Sequence, residues 1–457
     1  MSDLRERLRR LIADRAGPLG VPGVAVGVAQ EGERFVGCHG VTSTANPLPV
    51  DETTLFAIGS VTKTVTATAV MRLVERGAID LAAPVKRYVP ELRLKDPGAT
   101  EHVTMLHLLN HTAGWEGDRV VDTGRDDGAL AAYVARMAEF EQVMPLGSVV
   151  SYNNAALSLA GRVVEKVTGT TYEAAVRDLV LGPLGLGHSF FDVADIITRR
   201  FVVGHGSKGR ADGPAEVVGQ WLMERSAAPA GGLFCGIGDL LDYGRFHLGG
   251  GDGVLEPGTL ELMRLPSTPQ TSTAGDVGIS WFLRDVGGVG VVEHTGGTTC
   301  GVALLTLVPE HGLVLAVLAN SIGAGAGELL EEIRALVLED HLGAQPEPLI
   351  PARLDEEELA ELVGVYDRGE GHLLVMSADG DRVTVDRRFS EEMIARYREL
   401  MPDLEVPVQE PITLVPLAGD AFHQTDRPGK RPDGRFVRVG GKVVAVEWSG
   451  RVAPKIS

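Results

Sequence analysis

The sequence predicts an α+β layer fold followed by a small all-β domain. Three features carry that expectation. Apolar, β-branched runs open the chain and return near residues 289–320, with helical patterns between them. A proline- and acid-rich stretch, GAQPEPLIPARLDEEE, then interrupts the pattern without an apolar period. Beyond it the apolar residues alternate around glycine turns.

Taken in order, Leu4, Leu8, Leu11 and Ile12 recur at helical spacing with charges between them, which predicts a surface helix laid over a core. VAVGVAQ and ERFVGCHG are strand-like runs parted by Glu31 and Gly32, so they read as a hairpin. TKTVTATAVMRLVER, stopped by Gly77, reads as a buried helix with a glycine cap. Further helices are predicted over 105–110, 154–167 and 172–179. VGVVEH, VALLTLVP and LVLAVLAN are three strands, followed by the helical GELLEEIRALVLEDHLG. The domains expected are 1–343, a linker over 344–353, and a β domain over 354–457. In the last, LLVMSADGDRVTVD and GRFVRVGGKVVAVEW read as hairpins of a small barrel or sandwich.

Composition narrows the function. A chain of 457 residues, 44% hydrophobic and 23% charged, has the makeup of a folded protein large enough for two domains. A net charge of −19 repels phosphate backbones and anionic lipid, so neither nucleic acid nor a membrane surface is an expected partner. Cys38, Cys235 and Cys300 are odd in number and far apart, suggesting neither disulfides nor zinc. The N-terminal MSDLRERLRRLIADRAG has no apolar signal core, and no run is long enough to span a bilayer, so a cytoplasmic location is expected. His107 and His111 have the spacing of a metal pair but lack the glutamate of H-E-x-x-H, and no metal is expected. Nucleotide and dinucleotide loops are missing too, so no cofactor is expected.

The chemistry-bearing residues start with Ser60-Val61-Thr62-Lys63 at the head of the buried helix. One helical turn puts hydroxyl and amine on the same face, and burial of the amine lowers its pKa so that it can take the serine proton. Tyr152-Asn153-Asn154 precedes a second apolar helix, and His294-Thr295-Gly296-Gly297 lies on a late strand. S-x-x-K, Y-x-N and a K/H-T-G element in this order resemble the serine β-lactamase and penicillin-binding-protein superfamily, most closely its class C branch. LLNHTAGW, YNNAALSLAGRVVEKVTGTTYE, LGPLGLGHS and PAGGLFCGIGDLLDYGRF resemble the connecting segments of that branch, so the likeness covers roughly residues 20 to 340.

The resemblance implies a class C β-lactamase-like domain, an antiparallel sheet flanked by helices with an all-helical lobe, and a lipocalin-like C-terminal domain. It makes Ser60 the nucleophile, gives Lys63 and Tyr152 the proton transfers, and has Asn154 bond both Lys63 and the substrate amide. The backbone amides of Ser60 and Gly297 would form the oxyanion hole, and the two glycines of HTGG would leave room for substrate backbone alongside that strand. His294 departs from the usual lysine that pairs with a substrate carboxylate, which turns the expectation from β-lactams toward D-aminopeptidases, esterases and peptide-cyclising thioesterases. Thr295 and Gly296 would border the substrate, with Trp221 and Trp281 as a candidate aromatic wall. Arg435, Arg438 and Arg451 are available to grip a carboxylate. The function expected is a stand-alone thioesterase that cyclises a peptidyl thioester ending in a D-residue, presented by a carrier protein. A cytoplasmic esterase or D-amino-acid-specific peptidase with the same residues stays open.

Overall fold

The computed structural model describes residues 1–206, 215–219, 221, 223–249, 251–369, 371–380, 382–391, 393–395, 410–425 and 431–457. The first 340 residues are organised around a seven-stranded antiparallel sheet. Its spatial order is Glu33–Gly40, Gly23–Gln30, Leu313–Ala319, Gly301–Val308, Val289–Thr298, Phe282–Val286 and Asp276–Val277. The N-terminal hairpin turns at Glu31 and Gly32, both with positive φ, as its two-residue turn requires. It pairs in register with Leu313–Ala319, so the first and last strands of this region lie side by side.

Helices cover both faces. Ser2–Arg15 buries Leu4, Leu8 and Ile12 on one, together with Ala324–Ala335. Each of those aliphatic side chains contributes roughly 1.5–3 kcal/mol of burial. On the other face Ile237–Leu248 crosses the sheet, and beyond it lies a helical lobe built on Thr62–Glu75 and Asn154–Thr168. Thr62–Glu75 is buried nearly all round although half of it is polar, since Thr64, Thr66 and Thr68 turn their hydroxyls onto carbonyls of the preceding turn. No helix among the described residues is long and apolar enough to cross a membrane.

Residues 343–355 carry neither helix nor strand apart from an isolated bridge at Pro351. The acidic run at their end is not all linker. Asp355 and Glu358 form a capping box that starts the helix Glu356–Leu362. Eight antiparallel strands follow in simple sequential order. The first and last meet at a Tyr366–Lys455 bridge, with Val365 N–H donating to Ser457 O at 2.9 Å, so the sheet nearly closes into a barrel. Tyr366, Phe422, Phe436 and Trp448 pack inside it, with Leu359 and Leu362 of the short helix filling the interior from one end.

The barrel is joined to the first domain at several points. Val149 packs with Ala445 and Val452. The fully buried Glu447 accepts from Thr273 N and Oγ1, both at 2.9 Å, and pairs with Arg435, which itself donates to Thr271. Arg431 reaches back to Glu293.

Candidate active site

Ser60 sits on a tight turn, Gly59–Val61, that leads directly into the helix Thr62–Glu75. Two glycines fix that turn against the strand Val289–Thr298. Gly59 has φ +51°, and a methyl group on it would lie 2.7 Å from Gly297 N. One on Gly296 would lie 1.9 Å from Ile58 O and 3.0 Å from Ser60 N. Only glycine permits this approach, which packs the turn bearing Ser60 directly against Gly296 and Gly297 of the strand. Phe282–Val286 pairs with Val289–Glu293 only, so His294–Thr298 present a free strand edge beside the serine. Gly297 faces open space, as clearance for substrate requires. At Gly296 the space is taken by Ile58 instead.

Lys63, one helical turn after Ser60, is fully buried. Its Nζ lies 3.0 Å from Ser60 Oγ and donates to Ala230 O at 2.6 Å. Burial pushes its pKa well below the usual lysine value, and nearby Arg451 adds to the shift. A neutral amine holding Ala230 O with one proton has its lone pair free to take the Ser60 proton. Tyr152 lies across the cleft, with Lys63 Nζ 4.8 Å from its ring centre. Burial raises the pKa of its phenol, opposed by hydrogen bonding to Ser60. The tyrosine is therefore a neutral phenol and the lysine the more basic partner.

His294 is buried, and burial pushes its pKa down to about 3. Its Nδ1 lies 2.6 Å from Thr295 O, which can only accept, so the proton sits on Nδ1 and Nε2 is left as an acceptor. Among the described residues that buried Nε2 has no partner. His294 is thus an uncharged hydrogen-bonding group at neutral pH, unable to pair with a carboxylate as a lysine would. His111 accepts the Asn153 N–H at 3.2 Å through Nδ1, and its ring lies 4.5 Å from that of Tyr152. His107 caps its own helix through Thr104. Both histidines of the apparent metal pair are engaged with backbone amides.

The barrel completes the site. Tyr152 N–H donates to Gly450 O at 2.8 Å, and Val452 N–H to Ser151 Oγ at 3.2 Å. The turn between the last two strands of the barrel thereby places the Arg451 guanidinium 4.8 Å over the Tyr152 ring. A cavity of about 230 Å³ opens there, walled by Trp115, Asp118 and Tyr152 on one side and Arg368, His372 and Arg451 on the other.

Residues 8–339 match the model of the family described as Beta-lactamase. The chain belongs to that family. It is 33% identical over 363 residues to Penicillin-binding protein 4 of Amycolatopsis lactamdurans, covering 77% of this chain and 94% of that protein. It is 40% identical over 192 residues to the esterase EstB of Burkholderia gladioli, covering 38% of this chain and 48% of the esterase. The match therefore spans about half the esterase's length. Among solved structures, SurE is similar over all of both chains, with a TM-score of 0.76 and 24% identity. A class C β-lactamase in complex with cefoxitin matches 72% of this chain and 99% of its own, with a TM-score of 0.60 and 21% identity. These structural likenesses establish a class C β-lactamase-like fold, and family membership makes the protein a serine hydrolase.

Within that family fold several sequence-based expectations are corrected. Trp281 is fully buried and packs edge-on against His247 at 5.0 Å, so it belongs to the core and not to a substrate wall. Trp221 packs between Phe201 and Phe234 and donates to Val202 O at 3.0 Å; its described contacts are those of a small apolar cluster. Thr295 is exposed on the free strand edge. Asn154 does not bond Lys63: its amide donates to Asp118 Oδ1 at 2.6 Å, because a carboxylate is the stronger acceptor. Arg435 is taken by Glu447, and Arg438 by Glu361 and Asp420. Of the three arginines only Arg451 reaches the site, where it is paired with Asp118. Sequence reasoning misses Asp118; the D of WEGD carries no local signal, since its partners lie 36 and 333 residues away.

Proposed function

We propose that the protein is a thioesterase that takes a peptidyl thioester ending in a D-residue onto Ser60 and releases it as a macrocycle. The observation that carries this reading is the direct bond from the barrel to Tyr152. An appended domain that touches the proton-transferring residue and walls a cavity beside it supplies what cyclisation needs over hydrolysis: shelter from water and a surface that holds the far end of the chain. The likeness to SurE, which has been solved with D-Leu, runs through both domains and supports a D-residue at the acyl position.

In this mechanism the neutral Lys63 amine accepts the Ser60 proton as Oγ attacks the thioester carbonyl. The oxyanion is held by the Ser60 and Gly297 amides. Collapse breaks the C–S bond, and the thiolate takes a proton relayed through Tyr152 from Lys63. The peptide's own amine then attacks the ester carbon, passing its proton back to Ser60 Oγ along the same pair. Neutral His294 puts no cation at this point of the strand, so the acyl chain needs no carboxylate there, as it would opposite a lysine. A carrier protein is the natural presenter of such a thioester.

The half-length likeness to an esterase supports a second reading, simple ester or D-peptide hydrolysis by the same residues. Incubation with a peptidyl N-acetylcysteamine thioester ending in a D-residue separates the two. Cyclisation yields a Ser60-dependent product lighter than the linear acid by one water. Linear acid alone, across several peptides, means hydrolysis.

A further inference from the structure

Arg451 lies over the Tyr152 ring, Asn154 follows Tyr152 by two residues, and a single carboxylate holds both. Asp118 Oδ1 accepts from Asn154 Nδ2 at 2.6 Å and lies 3.2 Å from Arg451 Nη2, while its other oxygen pairs with Arg451 Nε. Arg451 also donates to Ser449 O at 3.2 Å. The carboxylate is held in place by its loop. Gly117 O accepts the N–H groups of Asn154 and Ala155 at 2.9 and 3.0 Å, and a methyl group on Gly117 would lie 2.7 Å from Tyr152 O. Yet the Asp118 side chain is 44% exposed, so it is open to exchange from the cavity side. The carboxylate thus ties up two donors from different domains at a cavity that Tyr152 also lines.

We propose that Asp118 is a specificity-determining residue that stands in for a backbone carbonyl of the acyl chain. On binding, that carbonyl displaces it from Asn154 and Arg451. The inference rests on the peptidyl-transfer reading, because it needs an acyl chain with an amide near its reacting end. The exchange also makes the site selective: a neutral carbonyl is a weaker acceptor than the carboxylate, so only a chain that meets both donors, with hydration of the freed and 44% exposed Asp118, offsets the cost of breaking those contacts. A short acyl group without an amide leaves the clamp closed.

The test is competition between an unreactive N-acetyl-D-alanyl amide and p-nitrophenyl acetate on the full chain. Asp118→Asn keeps the shape and removes the charge that competes for Arg451. The inhibition constant of the amide is expected to fall about tenfold, the scale of one charge-assisted hydrogen bond released for the ligand. In an Arg451→Gln background the same change should have much less effect, since the two residues act on one ligand atom. A merely structural Asp118 would weaken binding when altered. An unchanged or raised constant, or no inhibition of either protein, overturns the proposal. Thioester turnover reports separately on the function: a wild-type enzyme that forms no acyl-enzyme from the peptidyl thioester while Asp118→Asn still tightens amide binding refutes the thioesterase reading and leaves the exchange standing.

Discussion

Lys63→Ala is expected to lower kcat/KM for ester or thioester substrates by about 10²–10⁴ near neutral pH, the range that a positioned general base supplies. The amine is buried against Ala230 O and Ser60 Oγ, with its pKa well below that of a free lysine. The active form is the free base. In the wild type kcat/KM should therefore rise as pH passes upward through that lowered pKa and stay level beyond it, because burial keeps the Tyr152 phenol protonated into alkaline conditions. The variant should lose that limb and regain rate only as hydroxide replaces the base. A variant within tenfold of the wild type, with the same pH limb, would make Lys63 a structural residue and leave proton transfer to Tyr152.

Glu293→Ala is expected to be strongly destabilising, although the residue takes no part in proton transfer. Glu293 is buried next to His294, and its carboxylate pairs with Arg284 at 2.6 Å, Arg334 at 3.5 Å and the barrel's Arg431 at 3.9 Å. Removing it strands the Arg284 guanidinium, whose side chain is 11% exposed, without its counter-charge. Breaking a buried pair in this way costs about 3–5 kcal/mol. The exposed Arg15–Glu328 pair offers the contrast, since Glu328→Ala should cost under about 1 kcal/mol. Denaturant midpoints of the two variants read the difference directly. Equal shifts would show that the Glu293 cluster is as solvated as the surface pair.

Much of the fold is legible in the amino-acid sequence. Continuous apolar, β-branched runs parted by turn residues locate the N-terminal hairpin and the three late strands, because the central strands are buried on both faces, and Gly77 marks the end of the helix after Ser60. Ser60 and Lys63 are readable because one helical turn fixes their separation. Features that depend on distant parts of the chain are not. A tryptophan on a strand has the same signature in a core as in a cleft, and Trp281 is core. The Tyr152–Gly450 bond joins backbone atoms, so no side-chain pattern reports it. Asp118 meets Arg451 only because the barrel brings that residue back across 333 positions of chain. The helix Glu356–Leu362 is the avoidable miss: Asp355-x-x-Glu358 is a capping signal, masked by the acidic run around it.

The consequence for the proposed mechanism is that the barrel is part of the active site. It holds the backbone of Tyr152, supplies Arg451, and braces the strand that carries His294 through Arg431.

Everything in the mechanism turns on Ser60 carrying the acyl group, and intact-protein mass spectrometry after brief exposure to a peptidyl N-acetylcysteamine thioester reads that bond itself. The expected result is a mass increase equal to one acyl group, mapped to the peptide containing Ser60 and lost in Ser60→Ala. An adduct that persists in Ser60→Ala, or turnover of the thioester by that variant at the wild-type rate, would contradict it.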